Sequence, residues 1–139
     1  MEKLQIPGTF FIIPGQVSAT LQEAEAKKPG AWGGVTWDEI RTLVAKGFEI
    51  GNHGYNHKNL VTQVKEPEEL ENEIENSADI IRRETGIFPV SFCYPYNSFN
   101  EQVGKIVERR HMVARIFQQG IGARDTTAKN INQWMDKLI

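Results

Sequence analysis

The sequence predicts an α/β domain, and three observations carry that prediction. Short apolar runs alternate along the chain with amphipathic segments of helical period. The first run, Phe10-Phe11-Ile12-Ile13, is continuous rather than alternating, as expected of a strand buried on both faces. Finally, each of the four strand candidates is preceded or followed by a helix candidate, which fits a parallel α/β sheet or part of a barrel.

The elements follow in order. After Phe10–Ile13 comes a long connection from Pro14 to Gly34, with a short helix expected within Gln22–Lys28 and turns at Pro29-Gly30 and Gly33-Gly34. Thr36 and Glu39 have the spacing of a capping box, so a helix starts there, buries Ile40, Leu43 and Val44, and stops at Gly47. A strand, Phe48–Ile50, runs directly into Gly51-Asn52-His53. The longest helix starts at Pro67 and ends at Gly86, with Leu70, Ile74, Ala78 and Ile81 on its apolar face. Its glutamates, Glu68, Glu69, Glu71 and Glu73, crowd the positive end of the dipole and read as a solvated face. Val90–Tyr94 is the third strand. Ser98 and Glu101 again have capping-box spacing, and Val103, Ile106 and Val107 form the stripe of the helix they open. Met112–Phe117 is the fourth strand. A last helix is expected from about Asp125–Thr127, with Ile131, Trp134, Met135 and Leu138 facing inward.

Composition narrows the function. With 16 basic against 18 acidic residues in 139, there is no basic surplus to neutralise phosphates, so nucleic acid is not an expected partner. One cysteine excludes an internal disulfide framework. No apolar run approaches the ~20 residues of a membrane span, and Met1–Leu4 is too polar to open a secretory signal. The whole of residues 1–139 is expected to be one domain.

The chemistry centres on His53 and His57, two of the three histidines. Their i, i+4 spacing would place both imidazoles on one side of a helical turn, directly after a strand, where α/β folds build their sites. Two neutral imidazoles can bind one metal if a third ligand converges. On spacing alone the pair reads equally well as two loop histidines beside a polar turn.

Context separates the two. Gly8-Thr9-Phe10-Phe11, then Trp37 to His57 with Gly47-Phe48-Glu49-Ile50-Gly51-Asn52-His53, resembles a polysaccharide deacetylase domain, the NodB-homology or carbohydrate esterase family 4 group. Phe92-Cys93-Tyr94-Pro95-Tyr96-Asn97 is similar to the third motif of that family, and Arg115 in Val113-Ala114-Arg115 stands where many members carry an arginine. The resemblance runs from about Pro7 to Leu138. It implies a partial distorted (β/α) barrel with a divalent metal, commonly zinc, at its carboxyl-end mouth. It also implies a hydrolase that removes acetyl groups from N-acetylated carbohydrate, cleaving non-peptide C–N bonds. His53 and His57 would be metal ligands, and Tyr94, Pro95, Tyr96 and Arg115 would line the substrate side. Members are often exported or associated with the cell envelope.

The chain departs from the family pattern in several places. The family's aspartate pair, one a ligand and one the general base, belongs on a strand before Gly8, where only Met1–Pro7 lie. Its late general-acid histidine motif would fall beyond Ile139. A non-catalytic carbohydrate-binding or scaffolding remnant is therefore the alternative function, and exposed sheet edges would invite self-association. Gly54 replaces the usual serine or threonine, and Cys93 stands where one subgroup has arginine. Cys93 reads as a small buried hydrophobe before it reads as a ligand. Arg115 is either a site cation or a salt-bridging surface residue. His111 follows Arg109-Arg110 at a helix end, where the dipole favours a cation, and this account is preferred to an acid role. Asp38 reads as a dipole complement and Asp125 as a cap or loop residue. Trp32, Tyr55, Tyr94 and Tyr96 could stack on sugar rings or pack near loops.

Overall fold

The computed structural model describes residues 7–27 and 34–116. Trp32, Asp125 and the expected C-terminal helix lie outside the described residues. Four strands form one sheet: β1 (Thr9–Ile12), β2 (Glu49–Asn52), β3 (Ser91–Cys93) and β4 (Val113–Arg115). Their order is β1-β2-β3-β4 and every pairing is parallel. Strands laid down in chain order without a switch point are the winding of a (β/α) barrel rather than of a doubly wound sheet. Among the described residues the sheet does not close. The fold class is thus α/β, a partial barrel with flanking helices, as the sequence indicated.

The helices are α1 (Leu21–Ala26), α2 (Trp37–Ala45), α3 (Pro67–Glu71), α4 (Ser77–Thr85) and α5 (Glu101–Arg110). Thr36 caps α2 with the full reciprocal box: its hydroxyl accepts from Glu39 N, and the Glu39 carboxylate accepts from Thr36 N at 2.8 Å. The helix expected from Pro67 to Gly86 is continuous but not uniform. A π-helical turn, Asn72–Asn76, joins α3 to α4, with αR backbone at both junctions. Gly86 ends it at φ 77°, the left-handed conformation that glycine adopts without steric penalty.

Four expectations need correction. The cap of α5 is Asn100, whose side chain accepts from Val103 N at 2.9 Å. Ser98 is still extended there, closing the 3-10 turn Pro95–Asn97. Secondly, β1 is not buried on both faces: Phe10 and Phe11 are half-buried and Thr9 is exposed, because β1 lies at an edge of the described sheet. Thirdly, β2 continues two residues beyond Ile50, which brings Asn52 into the sheet between Ile12 and Phe92. Lastly, the acidic face of the long helix is not wholly solvated, since Glu73 is 3% exposed.

Two apolar clusters hold the sheet and helices together. One joins Phe92 and Tyr94 to Leu60, Val64, Leu70, Ile74, Val103, Ile106 and Val107. The other joins Ile12 and Ile50 to Ile40 and Ile81, with Phe10, Trp37, Leu43 and Val44 packed against it. Fully burying each such side chain contributes roughly 1.5–3 kcal/mol. The stripes read from the sequence for α2, α4 and α5 are the faces that are buried.

Candidate metal and substrate site

β2 aims successive side chains to opposite faces of the sheet, and this alternation builds the site. Asn52 turns toward the long helix and is completely buried. Its Nδ2 donates to Ile74 O at 3.0 Å and lies 3.1 Å from His111 Nε2. Its Oδ1 accepts from Gly54 N at 3.1 Å and from the Ser77 hydroxyl. All four hydrogen-bonding positions of the amide are therefore used. An amide N–H facing Nε2 requires that nitrogen to accept, so His111 carries its proton on Nδ1, which donates to Val107 O at 3.1 Å.

This corrects the reading of His111 as a cation at a helix end. The ring is 6% exposed, beside Phe92 and Phe88 at 5.1 and 6.5 Å between centroids. Burial lowers its pKa to about 4, helped by the neighbouring Arg110 and opposed by the bond to Val107 and by Glu75. It is a neutral structural acceptor. The cations at this end of α5 are Arg109, bonded to Glu71 and Glu75, and Arg110, bonded to Asp79.

His53 is the next residue after β2, and its N–H donates to Ile12 O at 2.9 Å, extending the ladder. The ring is half-buried, with Nδ1 2.6 Å from Cys93 O. A carbonyl only accepts, so Nδ1 holds the proton and the Nε2 lone pair is left available. His57 is reached through Gly54, Tyr55 and Asn56, a loop and not the helical turn that the spacing implied. Gly54 (φ 79°) and His57 (φ 60°) both take left-handed backbone, and this bend returns the second imidazole to 4.9 Å from the first, centroid to centroid. At this φ a side chain on residue 54 would be strained, so the path of the loop suits glycine. Burial lowers the pKa of both rings, and for His53 the adjacent His57 adds to the effect. Both rings are neutral near pH 7.

The third motif meets this pair from β3. Tyr96 is 63% exposed and its ring lies 4.7 Å from that of His57. Tyr96 and Asn97 adopt φ 55° and 59°, so the non-glycine residues with left-handed backbone among those described all lie in this motif or at His57. Strain of this kind costs on the order of 1–3 kcal/mol per residue and clusters at functional sites. Tyr94 points elsewhere: its ring is 8% exposed and packs on Phe92 and Phe99, so it serves the core and not a sugar-stacking surface. Pro95 is buried, and Tyr55 is half-buried. Arg115 is exposed on β4 in register with Cys93, and its charge acts on that thiol. Burial nonetheless raises the thiol pKa, and Cys93 contributes its carbonyl to His53 rather than its sulfur. Asp38 pairs with Arg41 in the first turn of α2, as a dipole complement would.

Two neutral imidazoles at a carboxyl strand end have the chemistry to donate to a divalent metal. Among the described residues no group of three His, Cys, Asp or Glu side chains could hold one ion.

Three residues that sequence reasoning passed over support the site: Asn52, Ser77 and Glu73. Glu73 had a detectable signal, because it lies three residues after Leu70 and four before Ser77, inside the apolar stripe of its helix.

The chain resembles in fold a polysaccharide deacetylase from Bacillus cereus (TM-score 0.65, 19% identity, 83% of this chain and 32% of that one). It is similar to a Streptococcus pyogenes deacetylase solved with acetate (0.62, 20% identity, 80% and 44%). A CE4 family pseudoenzyme from Bacillus anthracis also matches (0.59, 20% identity, 81% and 34%). The chain thus spans less than half the length of each. A search of curated proteins gives no match. The family model for polysaccharide deacetylase matches residues 1–114, and the chain belongs to the polysaccharide deacetylase family.

Proposed function

We propose that this chain carries part of a metal-dependent deacetylase that acts on N-acetylated carbohydrate, with His53 and His57 as two donors to a divalent metal, zinc foremost. The observation that carries the reading is the pair itself: two neutral imidazoles 4.9 Å apart, one locked through Nδ1 so that Nε2 is presented. Such an ion, when bound, acidifies a water and polarises an acetyl carbonyl. The chain's own residues do the rest of what is proposed here. Cys93 O fixes the His53 tautomer, Tyr96 offers an exposed ring beside His57 for a sugar face, and Arg115 offers a cation at the neighbouring strand end. Pro95 and the Tyr94 main chain shape the turn that presents Tyr96. The described residues supply no third donor, so on this reading the donor set is completed by other residues of this chain or of a second copy of it. Residues 1–139 are taken as a single domain spanning part of the deacetylase barrel, with self-association through the β1 and β4 edges.

A second reading is a carbohydrate-binding protein without catalysis. A pseudoenzyme among the structural neighbours favours it. One experiment separates the two: the zinc-supplied chain is mixed with an N-acetylglucosamine oligomer, and both acetate release and oligomer binding are measured. Acetate release that is lost in the His53→Ala/His57→Ala variant supports the deacetylase. Oligomer binding without acetate supports the second reading, and neither signal contradicts both.

A further inference from the structure

We infer that Glu73 is a positioning residue that sets His57 beside His53, acting through the loop between them and through a π-helical turn shaped to receive it. The inference rests on the metal reading of the two histidines. The loop is short and contains two left-handed residues, so without restraint it would sample many conformations. The restraint comes from one helix turn. Glu73 Oε2 accepts from Asn56 N at 2.9 Å, Glu73 Oε1 accepts from Asn56 Nδ2 at 3.1 Å, and Glu73 O accepts from Tyr55 N at 3.0 Å. The next carbonyl, Ile74 O, takes the Asn52 amide. Two successive carbonyls of the Asn72–Asn76 π turn are thus engaged by the loop and by the strand residue before His53. Single π turns inside helices recur at functional sites, where the extra residue turns backbone groups outward.

On the other side of His57, Lys58 pairs with Glu69 at 2.5 Å, one helical turn before Glu73. The two glutamates therefore grip the residues that flank the second histidine. They are not equal in effect. The Lys58–Glu69 pair is partly exposed and weakened by water, whereas Glu73 is 3% exposed and its bonds to N–H donors are charge-assisted. Gly15 completes the clamp by donating to Tyr55 O at 2.9 Å, at a separation that leaves no room for a side chain on Gly15.

The test compares zinc affinity of the whole chain, by competition with a chromophoric chelator, for wild type, Glu73→Ala, Glu73→Gln and Glu69→Gln. Amide exchange at Tyr55 and Asn56 is followed in the metal-free protein. Groups that orient metal ligands typically change affinity ~10–100-fold when removed, and that loss is expected for Glu73→Ala. Glu73→Gln keeps an acceptor for Asn56 N, and the exposed Asn56 amide can rotate to meet the new donor, so affinity should recover to within about threefold. Glu69→Gln should stay within about threefold as well. A purely structural role would lower the melting temperature of Glu73→Ala and leave zinc affinity at the wild-type value, and that result overturns the inference. Wild type taking up no zinc defeats the metal reading. Exchange then decides positioning alone: a protected Asn56 amide that Glu73→Ala releases upholds it, and one unprotected in wild type overturns it. Should Glu73→Ala not fold, the same wild-type protection, retained in Glu73→Gln, is the deciding measurement.

Discussion

Lowering the pH from about 8 to about 4.5 interrogates His111 directly, because its buried ring must stay neutral to accept from Asn52. The folded-state pKa is about 4, against the ordinary value of 6.5. Between those values the unfolded chain binds a proton that the folded chain refuses, so stability is full above pH 6.5 and is lost as pH falls toward 4. One pKa unit corresponds to about 1.4 kcal/mol, which makes the His111 loss roughly 1 kcal/mol at about pH 5.5 and roughly 2–3 kcal/mol at about pH 4.5. The ring is only 6% exposed, so solvent screening reduces this little. His53 and His57 are shifted in the same direction and add to the slope, so the informative quantity is a difference. His111→Gln keeps an acceptor near the position of Nε2 but cannot titrate. Urea unfolding of wild type and His111→Gln at the three pH values is the assay. The variant should start less stable, because the bond to Val107 is lost, but its stability should fall less with acid by the amounts above. Parallel pH dependence in the two proteins would refute the reasoning.

Other outcomes follow from the same geometry. Asn52→Ala removes an amide with four partners in a fully buried position, and the abandoned groups should cost about 3 kcal/mol. A loss in urea unfolding below about 1 kcal/mol would mean that water or a rearranged Ser77 replaces the amide. Gly54→Ala must place a side chain at φ 79°, with Pro95 Cγ 3.4 Å from the new Cβ. A destabilisation of about 1–2 kcal/mol is expected, and a variant as stable as wild type would show that the loop is free to refold.

Much of this was legible in the sequence because it depends on period and capping. The stripe Val103, Ile106, Val107 and the Thr36–Glu39 box are local signals, and the structure uses both directly. The position of the histidine pair at a strand end was legible too, although for an incomplete reason. Spacing suggested a helical turn, whereas the loop reaches the same proximity through left-handed Gly54 and His57. What sequence periodicity missed is non-local. The stripe position of Glu73 hints at burial, but its partner emerges only when the loop carrying Asn56 folds against it, and an α-helical period gives no sign of a π turn. His111 sits beside two arginines in sequence but beside Asn52, Phe88 and Phe92 in space. Tyr94 and Tyr96 are two residues apart in one motif, yet the 3-10 turn at Pro95 buries the first and exposes the second.

The central claim is that His53 and His57 act together as metal donors, and the most direct measurement is zinc stoichiometry of the purified chain beside the His53→Ala/His57→Ala variant. The account predicts close to one zinc per wild-type chain and none retained by the variant. A wild-type chain that stays metal-free with zinc in excess, or a variant that binds zinc equally well, would contradict it.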